Sequence, residues 1–133
     1  MTFYRHYHNV IDALSMQVTS LLNEFTANIK YTGDNYDYIV RTIKFFDNHR
    51  KFIKILLRTD RQDLLLRKVT GVMKELTTYN PHLNNLSPRE LYYFVEYHTI
   101  GLMSVIIDWI QHDEPDSIES LANFLDKNIK KDP

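Results

Sequence analysis

The chain has no cysteine. That excludes disulfides, thiolate metal sites and a cysteine nucleophile. Glycine and proline are scarce, with three and four residues in 133. So little turn material disfavours a fold of many short strands and favours helices. Glycine-rich phosphate loops, H-E-x-x-H pairs and paired-carboxylate helix motifs are all missing, so nothing points to an enzyme. His6 and His8 are two residues apart, fall on different faces of a helix and make a poor metal pair. No cofactor is implied.

A dominant charge is lacking as well. The net charge is −1, whereas a domain that grips phosphates needs a strongly basic face to drive counterion release. The distribution is uneven: 11 Lys/Arg stand against 7 Asp/Glu up to Lys68, and 5 against 10 from Val69 onward. The N-terminus is aromatic and polar, without the basic region and apolar run of a signal peptide. A cytoplasmic protein of one domain is expected, with 44% apolar residues to build its core.

What is present is helical periodicity. Ile11, Leu14, Val18, Leu21, Phe25 and Ile29 recur at spacings of three and four, one apolar stripe of a helix over 10–30. Gly33 is a stop and Asp34 or Asn35 a cap. A second helix over 36–47 turns Tyr36, Ile39, Val40 and Ile43 inward, and Asn48-His49 breaks it. A third, over 49–58, is two-sided: Phe52, Ile53, Leu56 and Leu57 form one face, and Arg50, Lys51, Lys54 and Arg58 a solvated one. A fourth, over 61–79, buries Leu65, Val69, Val72, Met73 and Leu76, and residues 79–85 form a loop.

Ser87-Pro88-Arg89-Glu90 opens a fifth helix with a capping box and proline at the first helical position. From Leu91 to Ile110 it is apolar nearly all round. Glu96, His98 and Asp108 count against a membrane span, each being costly at bilayer depth. A helix apolar on most sides in a soluble protein must bury more than one of them. A second capping box, Asp116 with Glu119, opens a final helix whose inner face is Ile118, Leu121, Ala122, Leu125 and Ile129, with Phe124 off that stripe. The last two helices therefore read as an antiparallel pair with spare apolar surface. Two copies of such a pair make a four-helix bundle across a two-fold axis.

The segment Thr2-Phe3-Tyr4-Arg5-His6-Tyr7, followed by Asp12 and Leu14, resembles the end of the recognition helix in TetR-family transcriptional regulators. The run Tyr93 to Leu102 with mid-helix Gly101, then Trp109-Ile110 and Leu121-Ala122, is similar to the last two helices of one TetR C-terminal subgroup, that of dihydroxyacetone kinase regulators. Phe45 to Phe52 fits that subgroup's middle. The family often has a lysine after the asparagine closing the recognition helix, but here it is Val10.

The resemblance implies an all-α, TetR-like regulatory domain of about six helices, dimeric through a four-helix bundle. Residues 1–9 would be the recognition-helix remnant, with Thr2, Tyr4, Arg5, His6 and Tyr7 the former DNA contacts, and 10–133 the sensing and dimerising domain. The two supporting helices would be missing, so operator DNA becomes a partner only where they are present. Gly101, Val105, Trp109, Leu121, Phe124 and Asn128 are the candidate dimer contacts. Phe45, Met73, Tyr93 and Tyr97 are the candidate pocket for an unknown small-molecule effector. The alternative is a helical dimerisation module that pairs with protein and takes no small molecule. No membrane partner is expected.

Overall fold

A computed structural model describes residues 2–77 and 85–129. Six helices make up the described chain: α1 (Thr2–Asn28), α2 (Asn35–Asn48), α3 (Arg50–Arg58), α4 (Gln62–Thr77), α5 (Pro88–Gln111) and α6 (Ile118–Ile129). No strand occurs among the described residues. The all-helical expectation holds, and the loop expected at 79–85 lies almost wholly outside the described residues.

The start and stop signals act where sequence chemistry puts them. Gly33 takes φ +98°, a backbone state that costs glycine least. Asp34 then caps α2 by accepting the N–H of Asp37 at 3.1 Å. At α5 both halves of the capping box form: Ser87 Oγ accepts the Glu90 N–H at 3.1 Å, and Glu90 accepts the Ser87 N–H at 2.9 Å. At α6 the cap is Ser117, one residue later than the expected box, and it accepts the Ser120 N–H at 3.0 Å.

With glycine so rare, two helices end on aspartate instead. After α3, Asp60 adopts φ 55°, the Asp60 N–H bonds Leu57 and the Arg61 N–H bonds Leu56. After α5, Asp113 adopts φ 58°, its N–H bonds Ile110 and the Glu114 N–H bonds Trp109. Both are Schellman closures with a non-glycine residue in the left-handed position. Aspartate tolerates that state better than most residues.

The core is continuous. Val18, Ile43, Phe46, Leu56, Leu65, Ile106, Ile110 and Ala122 are fully enclosed. Phe25, Phe45 and Phe46 form an aromatic knot, with centroid separations of 5.3 Å for Phe25–Phe45 and 5.2 Å for Phe45–Phe46. His49 joins α2 to α3 by itself. Its Nδ1–H donates to the Phe45 carbonyl at 2.8 Å and its ring packs on Phe45 at 4.7 Å. The expected break at Asn48-His49 is thus a hydrogen-bonded corner.

The helices pair in an order that the sequence does not reveal. The principal contacts join α2 with α6 and α4 with α5; α1 lies on α4, and α3 on α5. So α6 finds its main partner in α2. Polar straps mark these pairings. Asn35 donates to buried Asp126 at 2.9 Å between α2 and α6. Lys74 meets Glu96 at 2.7 Å between α4 and α5, which holds the Lys74 ammonium above its ordinary pKa. Lys68 donates to Thr19 at 2.6 Å between α4 and α1.

Two smaller expectations also change. Leu76, expected inside, is 52% exposed on the last turn of α4. The helix expected to begin near residue 10 begins at Thr2 and runs unbroken to Asn28, so the boundary drawn after Asn9 falls inside it.

Candidate functional site

α5 has two working faces. Val95, Thr99, Met103, Ile106 and Ile110 lie buried on the inner one. The outer one carries Tyr93, Tyr97, Gly101, Ser104 and Asp108, all exposed. Their spacings of four, four, three and four keep them on one stripe at 100° per residue. Tyr97 is 76% exposed, and Phe124 on α6 is 62% exposed. Aromatic rings of this size carry 150–250 Å² of burial each, so leaving them in water is a cost the protomer does not recover by itself.

Gly101 sharpens the point. A Cβ built there meets nothing within 4 Å, so the protomer imposes no steric need for glycine. Glycine in a helix interior still costs about 1 kcal/mol relative to alanine. The same holds for Gly71 in α4.

The six candidate dimer contacts divide. Gly101, Phe124 and Asn128 are exposed, and Asn128 Nδ2 donates back to the Phe124 carbonyl at 2.7 Å. Val105 is half-buried against the protomer's own core. Trp109 and Leu121 sit inside that core, 5% and 8% exposed. The Trp109 indole donates to the Asp116 carbonyl at 2.9 Å and so stitches the turn between α5 and α6. The helical angle explains the division: Trp109 is eight residues beyond Gly101, about 80° round the helix, whereas Asp108, seven beyond, returns to the Gly101 face.

The four pocket candidates do not converge. Phe45 is spent in the aromatic knot. Met73 is half-buried, its sulfur 4.0 Å from the Tyr38 hydroxyl, and burial raises the Tyr38 phenol above its ordinary pKa. Tyr93 and Tyr97 lie on the outer face of α5 instead. His98 is half-buried with its ring 4.3 Å from that of Phe94.

Of the candidate DNA contacts, Arg5 is exposed in the first turns of α1. The backbone of Thr2, Tyr4, His6 and Tyr7 is helical, and their side chains lie outside the described residues. Among the described residues no group of three or more His, Cys, Asp or Glu is placed to hold a metal ion, and no helix is long and apolar enough to cross a membrane.

The turn between α5 and α6 is clamped to the α2–α3 corner. Lys54 pairs with Asp113 at 2.9 Å, which holds the Asp113 carboxyl low. Glu114 is pushed up, first by a hydrogen bond with Asp47 and then by burial. Arg50 lies beside both, 3.4 Å from Asp47 and 4.0 Å from Glu114. This clamp ties the turn after α5 to α2 and α3.

The family model described as the transcriptional regulator C-terminal region, of TetR type, matches residues 33–131. The chain belongs to that family. No curated protein and no solved structure matches it. The TetR-type match spans α2 to α6, and with them Phe45 and Phe46 of the aromatic knot, the clamp and the exposed residues of α5 and α6. α1, with the candidate DNA contacts, precedes the matched region. Sequence reasoning missed Ser104 and Asp108 as outer-face residues, although counting by 100° from Gly101 finds both.

Proposed function

We propose that this TetR-type domain is the dimerising and effector-sensing part of a cytoplasmic transcriptional regulator and catalyses no reaction. The observation that carries the reading is the outer stripe of α5, with Gly101 in open space between Tyr97 and Ser104 and exposed Phe124 on α6. A second copy related by a two-fold axis covers this stripe and completes a four-helix bundle from two α5 and two α6 helices. Because such an interface is isologous, each residue near the axis meets its own counterpart. Gly101 then allows the close backbone approach that its cost in an isolated helix calls for.

Control of transcription follows from geometry. A ligand that binds one arrangement of the helices better than another shifts the spacing of the two subunits. Operator DNA enters only through a helix-turn-helix, which needs supporting helices beside a recognition helix. Thr2 to Asn9, the first turns of α1, are read as the end of such a recognition helix.

The absence of cysteine makes the test direct. Ser104→Cys places one thiol on the stripe, and mild oxidation should give a covalent dimer in high yield. The same change at exposed Arg67 on α4 should give little. Equal cross-linking at both positions, or none at Ser104, overturns the interface.

A second reading is favoured by one observation: Phe45, a pocket candidate, is packed solid between Phe25 and Phe46. On that reading the domain pairs with protein and takes no small molecule inside its core.

A further inference from the structure

The basic face of α3 is not uniform. Four cations, Arg50, Lys51, Lys54 and Arg58, lie on it. Arg50 is paired with Asp47 and Lys54 with Asp113. Lys51 and Arg58 have no ion-pair partner among the described residues, and both are exposed. They flank Ile55, a large aliphatic residue that is itself exposed. These three positions differ by four and three, so they stand above one another on one stripe, with the two cations about 10 Å apart along the axis.

That stripe borders a cleft of about 570 Å³ lined by Lys51, Lys54, Ile55, Leu57, Arg58 and Gln111. The cleft is open to solvent, so a ligand here keeps part of its surface in water. The floor is aliphatic, the rim is cationic, and no carboxylate lines it. Gln111, the last residue of α5, adds a neutral side-chain amide that can donate to an anion. A cation gains from a carboxylate or phosphate group, and an exposed Ile55 gains from an apolar body. Lys51 and Arg58 meet no carboxylate among the described residues, and Ile55 stays exposed.

We propose that this cleft is a binding site for a small amphiphilic anion, an acyl or aryl body carrying a carboxylate or phosphate. The site is separate from the interior candidates Phe45 and Met73 and from the outer stripe of α5, so it stands or falls independently of the dimer. The anionic head sits between Lys51 or Arg58 and Gln111, and the apolar body lies on Ile55 and Leu57. Lys54 is shared: an anion here competes with Asp113 for the same ammonium. Occupancy therefore loosens the clamp between α3 and the α5–α6 turn.

The test is a titration of the whole chain with octanoate, octanol and acetate, followed by amide chemical-shift changes and by the fluorescence of Trp109, the one tryptophan. Octanoate should bind with shifts centred on residues 51–58 and 111. Octanol lacks the charge and acetate the body, and each should bind at least about tenfold more weakly. Lys51→Ala with Arg58→Ala should weaken octanoate about tenfold, while the exchange Lys51→Arg with Arg58→Lys should retain it. Ile55→Asn should weaken octanoate and leave acetate unchanged. Octanol binding as tightly as octanoate, shifts scattered over the molecule, or a double alanine variant that still binds would each overturn the site. So would capture of the chain by vesicles of anionic lipid with no response to free octanoate.

Discussion

α3 and α5 bury the same kind of stripe and turn opposite chemistry outward. Inside, Ile53 and Leu56 of α3 join Met103, Ile106 and Ile110 of α5 in one core. Outside, α3 shows Arg50, Lys51 and Arg58, while α5 shows Tyr93, Tyr97 and Gly101. A charged face is satisfied by water, and cations on long apolar stems need no protein neighbour. An aromatic face around a glycine is not satisfied in that way. The difference separates a face that water satisfies from one that leaves large rings exposed, and the second is the one the proposed dimer covers.

The comparison is broken most severely from within. Leu56→Ala and Ile106→Ala remove fully enclosed side chains, one from each helix. Each should cost about 2–5 kcal/mol of unfolding free energy in chemical denaturation. A cost well below about 2 kcal/mol at either position would mean that its side chain is not enclosed as described. Trp109→Phe, which removes the indole donor to Asp116 and part of a buried ring, should cost about 1–3 kcal/mol. A charged residue at Trp109 therefore reports on folding and says nothing specific about an interface.

The outer faces should then part company. Arg58→Ala on α3 should leave stability within about 0.5 kcal/mol and leave association unchanged. Tyr97→Ala on α5 should leave the protomer folded by circular dichroism and weaken dimerisation by about tenfold or more.

The two ends of α5 give a finer contrast. Ser87→Ala removes a formed capping box and should cost about 1 kcal/mol. The Glu90 carboxyl is held below its ordinary value by the Ser87 N–H and hydroxyl. Its folded pKa is lowered, so its contribution is present above the unfolded carboxylate's pKa and is lost as pH falls through the lower folded value. Glu114 at the other end is raised by its hydrogen bond with Asp47 and by burial. Its contribution has the opposite sign: present below the unfolded pKa, and lost as pH rises through the folded one. Thermal unfolding of Glu90→Gln and Glu114→Gln across the acid range should show opposite changes in pH slope.

One change at the end of α3 is a gain. Asp60→Gly relieves a left-handed φ at the end of α3 and should stabilise by about 0.5–1 kcal/mol in the same denaturation.

Much of the fold was legible because burial follows the 3.6-residue period. Leu14, Val18, Leu21 and Phe25 lie where the stripe on α1 places them, and the cap at Ser87 forms as its sequence implies. Leu76 breaks the pattern because periodicity marks a direction on a helix and does not say how far along it a neighbour extends. The pairing of α6 with α2 was not legible either. It is set by contacts such as Asn35–Asp126, 91 residues apart, and no local period encodes them. Of the residues named as dimer contacts, Gly101 and Phe124 are exposed, whereas Trp109, about 80° round α5 from Gly101, is buried in the protomer's core. The pocket candidates divide between core and surface for a plain reason: aromatic residues that fill a core and those that line a cavity look alike in sequence.

The most direct measurement is sedimentation velocity of the chain at micromolar concentration, beside Phe124→Glu. The proposed interface requires a species of about twice the 15.9 kDa protomer for the unaltered chain, and a folded monomer for Phe124→Glu, whose carboxylate is buried without a partner in the bundle. A monomer in both cases, or a dimer unchanged by the substitution, would contradict the assignment of the α5–α6 outer face.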